Sequence, residues 1–159
     1  MPADTPAFLT ERLKAEGEKT AAGFAGLTPE QWDLPVYADG QTWTVRSLLV
    51  HYVTAEREML GLFADIRAGG TGAPEDFDVD RYNAIQQRRM ARLSPNELLD
   101  QFAAVRAECI AYVSGLDIAD LEKPGRHPFL GMTTLGEMIK LVYRHNQTHH
   151  RDIRRALSA

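Results

Sequence analysis

At 159 residues the chain is long enough for one domain with a sizeable core, and 44% hydrophobic with 25% charged residues is a globular rather than a disordered composition. A formal charge of −4 argues against a nucleic-acid partner, whose phosphates demand a basic footprint, and the lone Cys109 excludes an intramolecular disulfide. No apolar run approaches the roughly 20 residues that span a bilayer, and the N-terminus lacks the basic start and apolar run of a signal peptide, so no membrane partner and a cytoplasmic location are expected.

Thr5-Pro6 is a helix start, a capping residue followed by proline at the first helical position. Phe8, Leu9, Leu13, Thr20, Phe24 and Leu27 continue a helical pattern, interrupted around Glu16 and Gly17, to about Gly26. Thr28-Pro29-Glu30-Gln31 repeats the start signal for one short turn that Pro35 ends, and 36–41, with its Asp-Gly pair, reads as a connecting loop. The second long helix begins near Thr42 or Thr44 and runs to about Ala68. Val45, Leu48, Leu49, Tyr52, Met59, Leu60 and Phe63 recur along it at three- and four-residue spacing, with Glu56 a polar intruder.

Residues 69–74, rich in glycine, stop that helix and read as the most flexible stretch of the chain. A third helical region spans about Asp78 to Arg92. Ser94-Pro95-Asn96-Glu97 then opens a helix that carries Leu98, Phe102, Val105, Cys109, Tyr112 and Val113 to Gly115. Residues 117–132 form a connection. No internal repeat, low-complexity tract or alternating strand pattern is visible. The last helix, Thr134 to Leu157, opens on a Thr134/Glu137 capping box and ends among Arg151, Arg154 and Arg155, cations that suit its negative pole. The expected fold is all-α, a four-helix bundle with long loop connections and a short extra helical turn, in a single domain of residues 1–159.

Chemistry concentrates in the histidines. His145 and His149 stand one turn apart on the last helix. At about 100° per residue His149 falls inside the apolar arc of Leu135, Met138, Val142, Ile153 and Ala156, with His145 at its edge. Two such imidazoles can share one divalent ion, yet the bare spacing fits core-edge histidines equally, and it lacks the glutamate of zinc proteases. His51 lies at the border of the apolar arc of the second helix, and alone it reads as a partly buried, hydrogen-bonded histidine. His150 points away from His149 and reads as outside the site. His127, in a loop before a proline, reads as a rim residue.

The segment Trp43-Thr44-Val45-Arg46-Ser47-Leu48-Leu49-Val50-His51 resembles the W-[ST]-V-[RK]-x-[LV]-[LI]-x-H signature of the DinB-like superfamily. His145-Asn146-Gln147-Thr148-His149-His150-Arg151-Asp152-Ile153 matches that group's other hallmark, an H-x-x-x-H on the last helix with isoleucine soon after. Asp152 departs from the glutamine often found there. The resemblance covers nearly the whole chain. It implies a DinB-like four-helix bundle in which His51, His145 and His149 together bind a divalent metal, zinc or nickel in relatives. It further implies a thiol-dependent transferase or isomerase acting on small electrophiles in detoxification or stress response. The co-substrate would be a low-molecular-weight thiol such as mycothiol or bacillithiol, and the protein a homodimer. The alternative is a non-catalytic dimeric protein that binds metal or ligand.

Neutral imidazoles suit such ions, and three protein ligands leave a coordination position open. Trp43, Arg46, His127 and Tyr143 are the candidate pocket residues around it, each with a plain structural alternative on a helix face or at a helix start. Glu56 and Glu58 stand too far apart along the helix to join His51 together. Cys109 reads as a buried, inert thiol.

Overall fold

The structure, a computed structural model, describes residues 4–159. Helix α1 (Pro6–Gly23) starts where expected, the Thr5 hydroxyl accepting from the Phe8 N–H. The single turn α2 (Pro29–Trp32) is closed by a reciprocal box between Thr28 and Gln31. Strands β1 (Pro35–Tyr37) and β2 (Trp43–Thr44) pair antiparallel and lead directly into α3 (Val45–Arg67). After α4 (Val79–Arg89) comes α5 (Pro95–Ser114), capped reciprocally by Ser94 and Glu97. The turn α6 (Ile118–Leu121), then β3 (Pro124–His127) and β4 (Gly131–Thr134), a second antiparallel pair, lead into α7 (Leu135–Ser158).

The four long helices form the bundle. Helix α1 packs on α5 and α7, and α3 packs on the same two, so α1 and α3 stand at opposite corners, as do α5 and α7. Consecutive helices at opposite corners need long links, and each such link here carries one helical turn and one hairpin. Both hairpins touch α7, and each also touches α3 through β2 or β3, so the links roof the α3–α7 seam.

Two apolar clusters fill the bundle. Leu9, Leu13, Phe63, Ile66, Cys109, Val113, Met138 and Ile139 form one; Phe24, Trp32, Leu48, Leu49, Tyr52, Phe102 and Ile153 belong to the other. Between α1, α3 and α5 lies the polar intruder. Glu56 accepts two 2.8 Å bonds from Arg106, whose third nitrogen donates to the Leu13 carbonyl at 2.9 Å. Gly17 explains the break in the α1 pattern: a Cβ there would stand 2.8 Å from the Arg106 guanidinium.

The hairpins were not visible as strands, because they are two to four residues long and contain Pro35, Pro124, Gly125 and Gly131. The glycine-rich stretch is pinned rather than loose. The Arg126 N–H donates to the Thr71 carbonyl at 2.9 Å, and the Ala73 N–H to the Arg126 carbonyl at 2.8 Å. The Thr134/Glu137 box is half formed: Thr134 caps the Glu137 N–H, while the Glu137 carboxylate turns to Lys140. Among the described residues no helix is long and apolar enough to cross a membrane.

Candidate metal centre

Helix α3 presents His51, and α7 presents His145 and His149 one turn apart. Packing of the two helices brings the three rings together. Nε2 of His145 lies 2.9 Å from Nε2 of His51 and 3.0 Å from Nε2 of His149. One ring nitrogen from each residue falls within 4.8 Å of the others, the one such grouping among the described residues. The buried face of α7 runs through Leu135, Met138, Ile139, Val142, Asn146, His150 and Ile153. His149 projects between the buried Met138 and Val142, inside the arc as expected, and His145 lies at its edge; both are half-buried because they line a cavity. Two polar residues, Asn146 and His150, also lie within the buried face. His150 packs edge-on against Phe24, in the space left by Gly23.

Burial sets the protonation of the three rings. Desolvation, then the neighbouring His145 and His149, holds His51 well below the ordinary imidazole value. Desolvation, followed by His149 and His127, pushes His145 down to about 3. His149 is lowered by desolvation, and Asp152 opposes the shift. All three therefore present neutral rings at neutral pH.

A relay fixes the tautomer of His149. The Tyr37 hydroxyl donates to Asp152 Oδ2 at 2.5 Å and lies 2.9 Å from His149 Nδ1. The hydroxyl has one proton, and the carboxylate can only accept, so His149 Nδ1–H donates to Tyr37 and its Nε2 is a bare lone pair. Burial, reinforced by the bond to Asp152, pushes the Tyr37 phenol far above its ordinary value, so it stays protonated. Tyr37 comes from β1, read from sequence as loop, and Asp152 is the residue that departs from the family pattern.

The donor set fits a divalent ion. His145 Nε2 has a single in-plane site, which faces both neighbours, so the three nitrogens can share at most one proton between them. One ion satisfies all three lone pairs at once. A tetrahedral ion with bonds of about 2.05 Å sets its ligand nitrogens about 3.3 Å apart, a few tenths of an ångström wider than the contacts found.

The three histidines line a cavity of about 880 Å³. Trp43 is in its wall, edge-on to His51 at 5.0 Å between ring centroids. His127 is in the wall too, together with Phe77, Tyr82 and Phe129. Two of the expected pocket residues are elsewhere. The Arg46 guanidinium donates to the Met90 and Leu93 carbonyls at 2.8 and 2.5 Å, tying off the end of α4. Those carbonyls, at and just beyond the end of α4, lie within reach of the first turn of α3 and accept from its arginine. Tyr143 is 4% exposed within the Leu9–Leu13 cluster, with the Arg12 guanidinium 5.2 Å from its ring centroid. Its position on α7 points it at α1 rather than at α3. Cys109 is fully buried, and desolvation pushes its thiol up to about 12.

No curated protein matches the sequence. Solved structures share the fold over nearly the whole chain. YfiT from Bacillus subtilis, a probable metal-dependent hydrolase with an unusual four-helix bundle topology, matches with a TM-score of 0.77 at 18% identity, covering 98% of this chain and 90% of that one. An uncharacterised protein from Clostridium difficile 630 gives 0.75 at 18% identity, over 98% and 96%. The colibactin self-resistance protein ClbS, in complex with a dsDNA, gives 0.77 at 14% identity, over 99% and 98%. That complex overturns the exclusion of nucleic acid drawn from net charge. Net charge averages the whole surface, whereas phosphates meet a local patch, and Arg144, Arg151, Arg154 and Arg155 are all exposed on α7. The DinB superfamily profile matches residues 12–153, and the chain belongs to that superfamily.

Proposed function

We propose that the protein is a divalent-metal-dependent enzyme acting on a small electrophile, with His51, His145 and His149 as the ligands of a zinc or nickel ion. The observation that carries this reading is the meeting of three neutral, lone-pair-bearing imidazoles on one wall of a ligand-sized cavity. Such an ion, held by three protein ligands, lowers the pKa of a water or thiol placed at its open position.

The chain's own residues supply the rest. Asp152 and Tyr37 hold His149 Nδ1–H, so the ring cannot turn its lone pair away from the centre. Trp43 packs edge-on against His51 and fixes that ring from the other side. Phe77, Tyr82 and Phe129 give the cavity an apolar wall against which an electrophile packs. A low-molecular-weight thiol as nucleophile, giving transfer or isomerisation, is the finer form of the proposal; water as nucleophile, giving hydrolysis, is its competitor.

Elemental mass spectrometry on untagged protein purified without added metal is the first test, with His149→Ala alongside. About one Zn or Ni per chain, lost in the variant, is the expected result. A wild type that is empty and takes up neither ion on titration would sink the metalloenzyme. Electrophile panels run with and without added thiol then separate transfer from hydrolysis.

A further inference from the structure

We propose that His127 is the hydrogen-bond donor with which the cavity recognises its ligand, and that this ligand is an apolar molecule bearing an uncharged acceptor oxygen such as a carbonyl. The proposal rests on the reading of the cavity as a ligand site, and not on which ion the three histidines hold.

His127 ends β3 and is 7% exposed in the cavity wall. Its Nδ1 accepts from the Phe129 N–H at 3.0 Å and from the Leu130 N–H at 3.1 Å, which fastens the tip of the second hairpin. A nitrogen that accepts two N–H bonds carries no proton, so the neutral ring has its proton on Nε2. That N–H meets no acceptor among the described residues. It is not sealed away from solvent, and the cavity is the space that His127 lines. The ring is thus held at one nitrogen by the backbone and offers the other as a fixed donor.

No described residue accepts from that N–H, and the wall around it includes the rings of Phe77, Tyr82 and Phe129, so the ligand brings the acceptor. Charge at the mouth says which kind. Asp39, Glu58 and Asp80 line it, against a single cation, Arg144, which Glu137 already engages at 3.7 Å. Whatever charge the histidine wall carries, an anionic acceptor would have to pass that acidic rim, and an uncharged carbonyl meets no such barrier.

Two probes of nearly equal shape test this, 2-acetylnaphthalene with an acceptor and 2-ethylnaphthalene without one. Wild type should bind the ketone about five- to tenfold more tightly, the usual worth of a neutral hydrogen bond. His127→Asn keeps an acceptor for the Phe129 N–H, as in an Asx turn, and loses the Nε2 donor. Its ketone preference should vanish while its thermal midpoint stays close to wild type. His127→Gln keeps an N–H near the Nε2 position and loses the turn acceptor, so it should retain the preference and melt earlier. Nitrogen-15 NMR of the side chain should find the Nε2–H tautomer.

Equal binding of the two probes by wild type, binding of neither, a preference that survives in His127→Asn, or an Nδ1–H tautomer each overturns the proposal. Metal content is measured on the same samples. Ketone preference without metal uptake sinks the metalloenzyme alone, and metal uptake without preference sinks this proposal alone.

Discussion

Asp152 and Tyr37 stand outside the three-histidine cluster, and their effect on it comes through a single proton. With the Tyr37 hydroxyl committed to Asp152, His149 is locked with its Nε2 lone pair toward His145. Tyr37→Phe removes the acceptor for His149 Nδ1–H. Asp152→Asn leaves the phenol free to reverse its bond and release the imidazole. Each should weaken metal binding by about 10- to 100-fold, measured by competition against a chelator, with the thermal midpoint of the metal-free form little changed. Affinity within about twofold of wild type in both variants would remove the relay from the design. The meeting of the three histidines was legible at this scale, because His51 and the H-x-x-x-H pair each belong to a family signature. Tyr37 was not, since nothing in a Pro-Val-Tyr tripeptide marks which distant ring it will meet. Arg46 and Tyr143 were misplaced for a related reason: one lies within a signature and the other beside one, but a helix turns successive residues about 100° apart.

Between helices, the chain spends its links on hairpins that bring Tyr37, Trp43 and His127 to the α3–α7 seam. The second hairpin is anchored at its outer edge by 71–73, where Gly72 adopts a φ of +89° and crosses Arg126 in a parallel bridge. A Cβ at Gly72 would stand 2.5 Å from the Arg126 carbonyl oxygen and 2.6 Å from its nitrogen, backbone atoms that cannot step aside. Gly72→Ala should therefore destabilise the protein by more than about 1 kcal/mol in urea unfolding, from the left-handed backbone and the clash together. A neutral effect would mean that residues 71–73 do not anchor the second hairpin. Gly40 provides the internal control. It has a φ of +80° but open space around its Cβ position, so the alanine variant there should report backbone strain without the clash. The long helices were legible because their caps and their three- and four-residue spacing agree, from Thr5-Pro6 through Ser94-Pro95 to Thr134. The hairpins were not, because strands this short carry no alternation and their register is set by contacts with distant helices. Residues 69–74 misled because glycine was read as freedom, whereas Gly72 is there for close approach.

At the scale of the molecule, polar chemistry is buried at two levels of the bundle: the Glu56–Arg106 pair that joins α3, α5 and α1, and the histidines under the hairpins. The pair is sealed, with both side chains 5% exposed or less, and every arm of the guanidinium is bonded. The histidines instead make the fold sensitive to acid. His127 shows how, because burial alone pushes its pKa down to about 4 from an ordinary 6.5. In the unfolded chain the ring binds a proton once the pH falls below about 6.5, whereas in the folded protein it does so only near 4. The unfolded state thus gains protons first, and the stability contributed by the neutral ring, complete above 6.5, is lost as the pH falls through that window. Carboxylates such as Asp120, held below its ordinary value chiefly by Lys123, add their own loss only at lower pH. Thermal midpoints of the metal-free protein should therefore begin to fall near pH 6.5. In His127→Asn, which keeps the turn acceptor and has no titrating ring, the decline between 6.5 and 4 should be shallower. Parallel curves for the two proteins would mean that position 127 is solvated like a surface histidine and not buried in the cavity wall.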